Sequence, residues 1–303
     1  MDLLIIYSEA QKGTLVSLAT LLHDKGIRFV PWALPEGWTI QDSEELVHSL
    51  KSTTHWLFLL TNADRTNPAY VFAAGYSVAV HERCFVLDVE GDTSPGYWKA
   101  LITVCPDFPS LVEALEVERE RWEQVLSRLE AKARLVERGL EVSNTAFIEA
   151  VSDGDVASCE LFLHAGFSAD LVNKRGVSVL SLAVRAAHVG VLRLLLDAGA
   201  DLNLSSRDRG NSPVMDAAAE GLTEIVEELI LKGADLSGVS RNGQNALVLA
   251  IGKGSEDAAA LLLEAGADPF LADKLGMNAC QYARLLGRTD FLGLVTKKFP
   301  GQA

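Results

Sequence analysis

The 303-residue chain has few cysteines, no long apolar run and a deficit of basic residues. Its four cysteines are scattered without a Cys-x-x-Cys pair, so neither a disulfide framework nor a zinc site is expected. The six histidines are also dispersed, without the spacing of metal ligands. No stretch approaches the roughly 20 apolar residues of a membrane span, and no basic segment of a signal peptide follows Met1. We therefore expect a cytoplasmic protein with no metal and no membrane partner.

The charge balance is strongly acidic throughout. There are 27 Lys and Arg residues against 41 Asp and Glu residues, which gives a net charge of −14. Proteins that bind nucleic acid non-specifically rely on Lys and Arg at the phosphates, so nucleic acid is not an expected partner. Hydrophobic residues make up 49% of the chain, enough for packed cores, and the length favours two domains.

Sequence repeats occupy the second half of the chain. A Gly-Ala-Asp signature begins at Gly199, Gly233 and Gly266, and a longer form begins at Gly166, so the period is 33 or 34 residues. A second set of glycines keeps the same period: Gly176, Gly210, Gly243 and Gly276. Two registers that repeat together predict a stacked solenoid, in which each unit buries its apolar face against its neighbours.

Each repeat has the pattern of a helix pair. Five equivalent polar residues can serve as helix N-caps: Thr145, Ser178, Ser212, Asn245 and Asn278. An alanine follows each cap five residues later, which permits close packing of neighbouring helices. The first helix of each pair is expected to end near Gly154, Ala187, Gly221, Gly254 and Gly287. A leucine-rich second helix follows each of these turns.

The repeats resemble the ankyrin repeat over residues 144 to 298. The family pattern Gly-x-Thr-Pro-Leu-His-x-Ala corresponds to Gly176-Val-Ser-Val-Leu-Ser-Leu-Ala183 and to Gly210-Asn-Ser-Pro-Val-Met-Asp-Ala217. Its histidine is absent here, replaced by Ser181, Met215, Val248 and Gln281. The resemblance implies an all-α ankyrin solenoid at residues 144–303, with about five helix pairs of which the first and last are caps. It also implies a protein-binding scaffold without chemistry of its own.

Charged and apolar residues predict where a partner binds on the repeats. The expected loop tips carry a basic line of Lys174, Arg175, Arg207, Arg209, Arg241 and Lys274. The expected groove-facing positions of the first helices are Leu182, Arg185, Asp216, Glu220, Leu249, Lys253 and Tyr282. A mixed groove with a basic rim suits an acidic protein partner. Solvated loops without any binding role would explain the same charges.

Residues 1–108 alternate between apolar strands and helices. Strands are predicted at Leu3 to Tyr7, at Arg28 to Val30, at His55 to Leu60 and at Arg83 to Val89. Continuous apolar strands indicate a parallel sheet that helices cover on both faces. Ligands of such sheets bind beyond the carboxyl ends of the strands. The expected crevice residues are Ser8, Glu9, Trp32, Asn62, Asp64 and Tyr76.

The stretch from Asn62 to Ala79 resembles part of two related groups, the Toll/interleukin-1 receptor (TIR) domains and the nucleoside 2-deoxyribosyltransferases. Both groups have a flavodoxin-like sheet, and their enzymes place a catalytic Glu on the third helix. Aligned on Gly75-Tyr76, that position falls on Ala73, which can neither attack a substrate nor stabilise a cationic transition state. The resemblance therefore implies a catalytically silent domain without a cofactor, which binds a protein or a nucleotide and could self-associate as TIR domains do.

An enzymatic alternative remains open for this domain. Glu9 and Asp64 are the carboxylates best placed to enter the crevice, and a pair of them could do acid–base work. The domain would then be an N-glycosidase or deoxyribosyltransferase acting on NAD or nucleosides, targeted by the repeats. The ordinary interpretation is that Glu9 favours a helix N-terminus and that Asp64 stabilises a turn.

Residues 109–143 predict one long connecting helix. Apolar residues recur there every three or four positions and neither Gly nor Pro interrupts them between Ser110 and Arg138. We expect this helix to pack within its own chain, with a short coiled-coil dimer as the alternative.

Overall fold

The computed structural model describes residues 1–34, 39–60, 83–88 and 103–301. The chain separates into two compact units, residues 1–126 and 127–303. Within the described ranges, no helix is both long enough and apolar enough to cross a membrane.

The first unit is built on a parallel sheet of five strands, in the order β2-β1-β3-β4-β5. Their bounds are Asp2–Tyr7 for β1, Arg28–Ala33 for β2, His55–Leu60 for β3, Arg83–Asp88 for β4 and Thr103–Cys105 for β5. The parallel sheet and its first four strands confirm the sequence prediction, and the structure adds a fifth strand, β5. The fifth strand has only three residues, too few to give an apolar run.

Apolar side chains cover both faces of this sheet. Leu4, Ile6 and Phe58 pack in one cluster with Leu46 and Leu50 of α2, which spans Ile40–Lys51. The alternate residues form the other cluster with α1, Lys12–Asp24, and with α3, Phe108–Glu137: Leu3, Ile5, Leu57, Leu18, Leu22, Leu111 and Leu115. Burial on both faces explains why the strands are apolar without alternation.

The long helix α3 spans Phe108–Glu137, in the region where the sequence predicts a connecting helix. Its 30 residues run without a break, and the border between the two compact units falls inside it. Leu111 and Leu115 belong to the core of the first unit, and Ala131 and Leu135 belong to the core of the second. The helix is therefore packed within its own chain at both ends.

The second unit consists of five helix pairs, as the repeat period predicted. The pairs are α4 Asn144–Asp153 with α5 Val156–His164, α6 Val179–Arg185 with α7 Val189–Asp197, α8 Pro213–Glu220 with α9 Thr223–Leu231, α10 Ala246–Lys253 with α11 Glu256–Glu264, and α12 Ala279–Leu285 with α13 Thr289–Lys298. The first member of each pair is called the inner helix below, and the second the outer helix.

Helix caps follow the prediction at three of the five positions, while Ser212 is at the cap position but its side chain makes no capping bond. The side chains of Ser178, Asn245 and Asn278 each accept a backbone N–H bond at the start of an inner helix. In the first repeat the cap is Ser143, two residues before the predicted Thr145. The sequence did not distinguish them because both hydroxyls can cap a helix.

One continuous core runs through all five repeats. The alanines five residues after the predicted caps are buried in it: Ala150, Ala183, Ala217, Ala250 and Ala283. Leucines of the outer helices, such as Leu195 and Leu229, are fully buried against the same core. Because each repeat shares its apolar surface with its neighbours, no single repeat is an independent folding unit.

Candidate protein-binding groove

Loop tips of successive repeats are joined by backbone hydrogen bonds. Arg207 N–H donates to the carbonyl of Gly176 at 2.9 Å, and Arg241 N–H donates to the carbonyl of Arg209 at 2.8 Å. The bond from Lys274 N–H to the carbonyl of Asn242, at 3.0 Å, continues the row. The tips therefore have a fixed spacing, and the basic side chains on them form a row along one edge of the repeats.

Side-chain acceptors hold individual tips in shape. Oδ1 of Asp273 accepts the backbone N–H groups of Leu275 and Met277, at 2.8 and 3.1 Å. Oδ2 of Asp273 accepts a 2.7 Å bond from the hydroxyl of Tyr282, one of the predicted groove residues. This bond lowers the pKa of Asp273 and raises the pKa of Tyr282. Tyr282 thus ties an inner helix to the loop tip of its own repeat.

The six basic residues predicted at the tips are all exposed: Lys174, Arg175, Arg207, Arg209, Arg241 and Lys274. Among the described residues, these six side chains form only weak ion pairs. Arg209 Nη1, for example, lies 3.7 Å from Glu220 Oε1. Glu220 also faces Lys253, with 3.8 Å between Oε2 and Nζ. Surface pairs of this kind contribute about 0–1 kcal/mol, so these charges remain available to a partner.

Arg185 is the centre of a polar cluster within the groove. Its Nε donates to Asp216 Oδ2 at 2.8 Å, and its Nη1 donates to Asp208 Oδ2 at 2.7 Å. Nη2 donates to Ser206 Oγ at 3.0 Å, while Asn211 Nδ2 donates to Asp216 Oδ1 at 2.9 Å. The guanidinium of one repeat is thereby bonded to three residues of the next.

Asp216 departs from the expectation that it faces a partner. Its side chain is fully buried, and it is an internal hydrogen-bond acceptor. Burial raises the pKa of Asp216, whereas the bond from Arg185 holds the pKa of the more exposed Asp208 well below its ordinary value. Asp216 therefore stabilises the groove from inside, because Arg185 and Asn211 occupy its two carboxylate oxygens.

Sequence reasoning missed the partners Ser206, Asp208 and Asn211. One signal for them exists in the sequence. The loop from Ser206 to Gly210 is one residue longer than the equivalent loop from Asn173 to Gly176. The longer tip contains Asp208, which bonds Arg185 of the preceding repeat.

Leu182 and Leu249 give the groove an apolar component. Both are half-buried and pack against the core of the repeats. They occupy the same position of the inner helix as Asp216 and Tyr282, four residues after the cap. The groove therefore alternates between apolar and polar residues from one repeat to the next.

The N-terminal crevice is described only in part. Ser8 directly follows β1, and its N–H donates to Gln11 Oε1 at 3.3 Å, at the start of a short 3-10 helix over Glu9–Gln11. Glu9 is largely exposed and pairs with Lys12 at 2.7 Å, whereas Trp32 is half-buried against the core cluster that includes Leu34 and Leu46. Asn62, Asp64, Ala73 and Tyr76 lie outside the described residues.

Comparison with known proteins agrees with the repeat architecture. A family model for "Ankyrin repeats (3 copies)" matches residues 147–238 and 214–298, together half of the chain. A "Putative ankyrin repeat-containing protein" of Treponema pallidum is 31% identical over 297 residues, which cover 97% of this chain and 99% of that protein.

Other relatives match this chain over shorter lengths. Protein PhlB of Serratia liquefaciens is 34% identical over 152 residues, which are 48% of this chain and 64% of PhlB. The nuclear factor NF-kappa-B p105 subunit of Gallus gallus is 31% identical over 132 residues, only 13% of its length. The helix pairs, the family match and the full-length relative together show that this chain belongs to the ankyrin repeat proteins.

Proposed function

We propose that the protein is an interaction adaptor whose groove of inner helices and loop tips binds an acidic protein partner. Ankyrin repeats indicate protein–protein interaction, and the proposal adds the site and the charge of the partner. The main support for this proposal is the row of exposed basic side chains at the loop tips. Such a row on a chain with a net charge of −14 concentrates positive potential at one edge. Complementary charge of this kind steers a partner and fixes its register.

The groove itself supports a specific rather than a purely electrostatic contact. Leu182 and Leu249 offer apolar surface, and Glu220 and Lys253 offer charges of both signs. Interfaces combine apolar contacts at the centre with a polar rim, which matches this arrangement. The Arg185–Asp216 bond makes the groove rigid between the second and third repeats, so a partner would meet a preorganised surface.

For the N-terminal unit we propose a flavodoxin-type or TIR-like module that binds a protein or a nucleotide and does not catalyse a reaction. The strand order 2-1-3-4-5 is the order of flavodoxin-like sheets, in which ligands bind where the strand order reverses, between β1 and β3. Ser8 follows β1 at that point. Glu9, paired with Lys12, is a helix-end residue rather than a candidate nucleophile. The enzymatic alternative stays testable with NAD and nucleosides.

We also propose a cytoplasmic location, which the buried free thiols of Cys105, Cys159 and Cys280 support because a reducing compartment leaves thiols unpaired. Self-association through the N-terminal unit remains part of the proposal, since related TIR domains associate in this way.

Site-specific photo-cross-linking tests the groove directly. A photoreactive amino acid at Leu182 or Leu249 should capture one defined acidic protein in cells that naturally contain this chain. The same amino acid at Leu231, which is 81% exposed on an outer helix, is the control and should not capture that protein. Equal capture from all three positions, or none from the groove, would contradict the proposal.

A further inference from the structure

The fifth repeat differs from the others at three exposed positions, all of which are leucine. Leu275 at the loop tip is 79% exposed, Leu285 at the end of α12 is 71% exposed, and the following Leu286 is 44% exposed. Exposed leucines are common singly, but three at one end of a binding groove form a distinct feature. We call Leu275, Leu285 and Leu286 the leucine triad.

The repeat register shows that equivalent positions carry polar contacts in the second and third repeats. Leu285 is equivalent to Arg185, because each is the last residue of its inner helix and lies seven residues after the cap. In the same way Leu286 is equivalent to Glu220, and Leu275 is equivalent to Arg209. Arg185 bonds the next repeat, and Arg209 pairs with Glu220. The ionic edge of the groove is therefore replaced by an apolar one in the fifth repeat.

The same equivalence indicates that the triad lies on one surface. Arg209 Nη1 and Glu220 Oε1 are 3.7 Å apart, so the loop-tip position and the helix-end position of one repeat are within reach of each other. Leu275 and Leu286 occupy those two positions in the fifth repeat, and Leu285 adjoins Leu286. A single partner segment could therefore contact all three.

The charge around the triad indicates which side chains the partner segment presents. Residues 274–303 contain five basic side chains and one acidic side chain, in a chain that is otherwise strongly acidic. Two of the basic residues, Lys274 and Arg284, directly precede Leu275 and Leu285 in sequence, are exposed, and form no ion pair within the described part of the chain. A second copy of the whole chain is a poorer match, since two basic patches facing each other would repel.

We propose that the leucine triad, with Lys274 and Arg284, docks an amphipathic segment of a partner protein that presents leucine-like and acidic side chains together. The inference rests on the proposed function, because it assumes that the repeats bind a protein. It adds a second contact at the C-terminal end of the groove and a chemical class for the segment that binds there.

A fluorescent peptide with leucine at helical spacing and glutamate between the leucines is a suitable probe. Fluorescence anisotropy should show that the full-length protein binds this peptide. Peptides with lysine in place of glutamate, or with serine in place of leucine, should bind poorly. Leu285→Gln should weaken binding by about tenfold or more, as expected for one buried leucine. Leu231→Gln is the matched control, since Leu231 also ends a helix and is 81% exposed, and it should leave binding unchanged.

A second variant guards against a folding defect. Leu275→Gln changes the loop tip instead of the helix end. It should weaken peptide binding to a similar extent, and its thermal melts should match those of the wild type. No binding of the acidic peptide, equal binding of the lysine peptide, or an equal loss in Leu231→Gln would overturn the proposal. The proposal would also be overturned if sedimentation showed a dimer that Leu285→Gln dissociates, because a second copy of the chain would then cover the triad. If the peptide experiment fails but a partner is captured at Leu182, the triad is excluded as a docking site and the groove remains the proposed binding site.

Discussion

Nε of Arg185 donates a 2.8 Å hydrogen bond to Oδ2 of Asp216, which joins the inner helices of the second and third repeats. The acceptor is fully buried, and only 17% of the Arg185 side chain is exposed. A buried carboxylate is stable only with such partners. The bond therefore links two repeats internally, whereas the sequence predicts that both residues face a partner in the groove.

Removal of the buried acceptor should be costly. Asp216→Ala removes the acceptor that Arg185 and Asn211 share, and we expect the free energy of unfolding to fall by about 3 kcal/mol. Asp197→Ala, at an exposed pair with Lys232, should change it by less than about 0.5 kcal/mol. Urea denaturation of both variants measures the difference. Equal effects would mean that the Arg185 cluster contributes no more than a surface pair.

Two glycines should respond in opposite ways to alanine. Gly210 has φ +75°, and a Cβ there would lie 2.8 Å from the backbone nitrogen of Arg241, which forms the bond between loop tips. Gly210→Ala should cost about 1–2 kcal/mol from the backbone conformation alone. Gly252, inside α10, has open space around it, so Gly252→Ala should stabilise by up to about 1 kcal/mol. Thermal melts with the same sign for both would contradict the assigned geometry.

Acid should destabilise the repeats through Asp208. Its pKa is lowered in the folded state, mainly by the bond from Arg185, so its contribution is present above the unfolded-state pKa near 4 and is lost as the pH falls below it. The raised pKa of Asp216 acts in the opposite direction. We expect Asp208→Asn to make the loss of stability between neutral pH and about pH 3 shallower. Urea titrations at several pH values would test this, and an unchanged slope would exclude Asp208 as a contributor.

The N-terminal unit should not cleave N-glycosidic bonds. Cleavage builds positive charge on the sugar, and the enzymes that this unit resembles in sequence stabilise that charge with a carboxylate at the position aligned with Ala73. Incubation with NAD and a panel of nucleosides, followed by chromatography, should yield no free base above a buffer control. Release of nicotinamide or a base that is lost in Glu9→Gln or Asp64→Asn would favour the enzymatic alternative.

Sequence periodicity was a reliable guide to the repeats because each helix pair uses the same local contacts. The caps at Ser178, Asn245 and Asn278 and the buried alanine at Ala183 depend on neighbours within one or two repeats. A pattern that recurs five times therefore predicts its own structure.

Polar contacts between residues far apart in sequence could not be predicted from this periodicity. Asp216 occupies the position of Leu182, Leu249 and Tyr282 in the second, fourth and fifth repeats, and its burial depends on Arg185, 31 residues away. Glu118 of the long helix is acidic, yet it is only 7% exposed and accepts a 2.7 Å bond from Arg83. Such pairings depend on which side chains the fold brings together, which local patterns do not encode. The short strand β5 was missed for a different reason, since three residues give no periodicity.

The association rate of the partner captured at Leu182 tests most directly whether the repeats bind an acidic protein. Reversal of Arg175, Arg207, Arg209 and Arg241 to glutamate should slow association by about tenfold or more at low salt and reduce its dependence on salt, because rim charges act mainly by steering. Dissociation should change little, and thermal melts should stay close to those of the wild type. An association rate that is unchanged by the four reversals at every salt concentration would contradict the account.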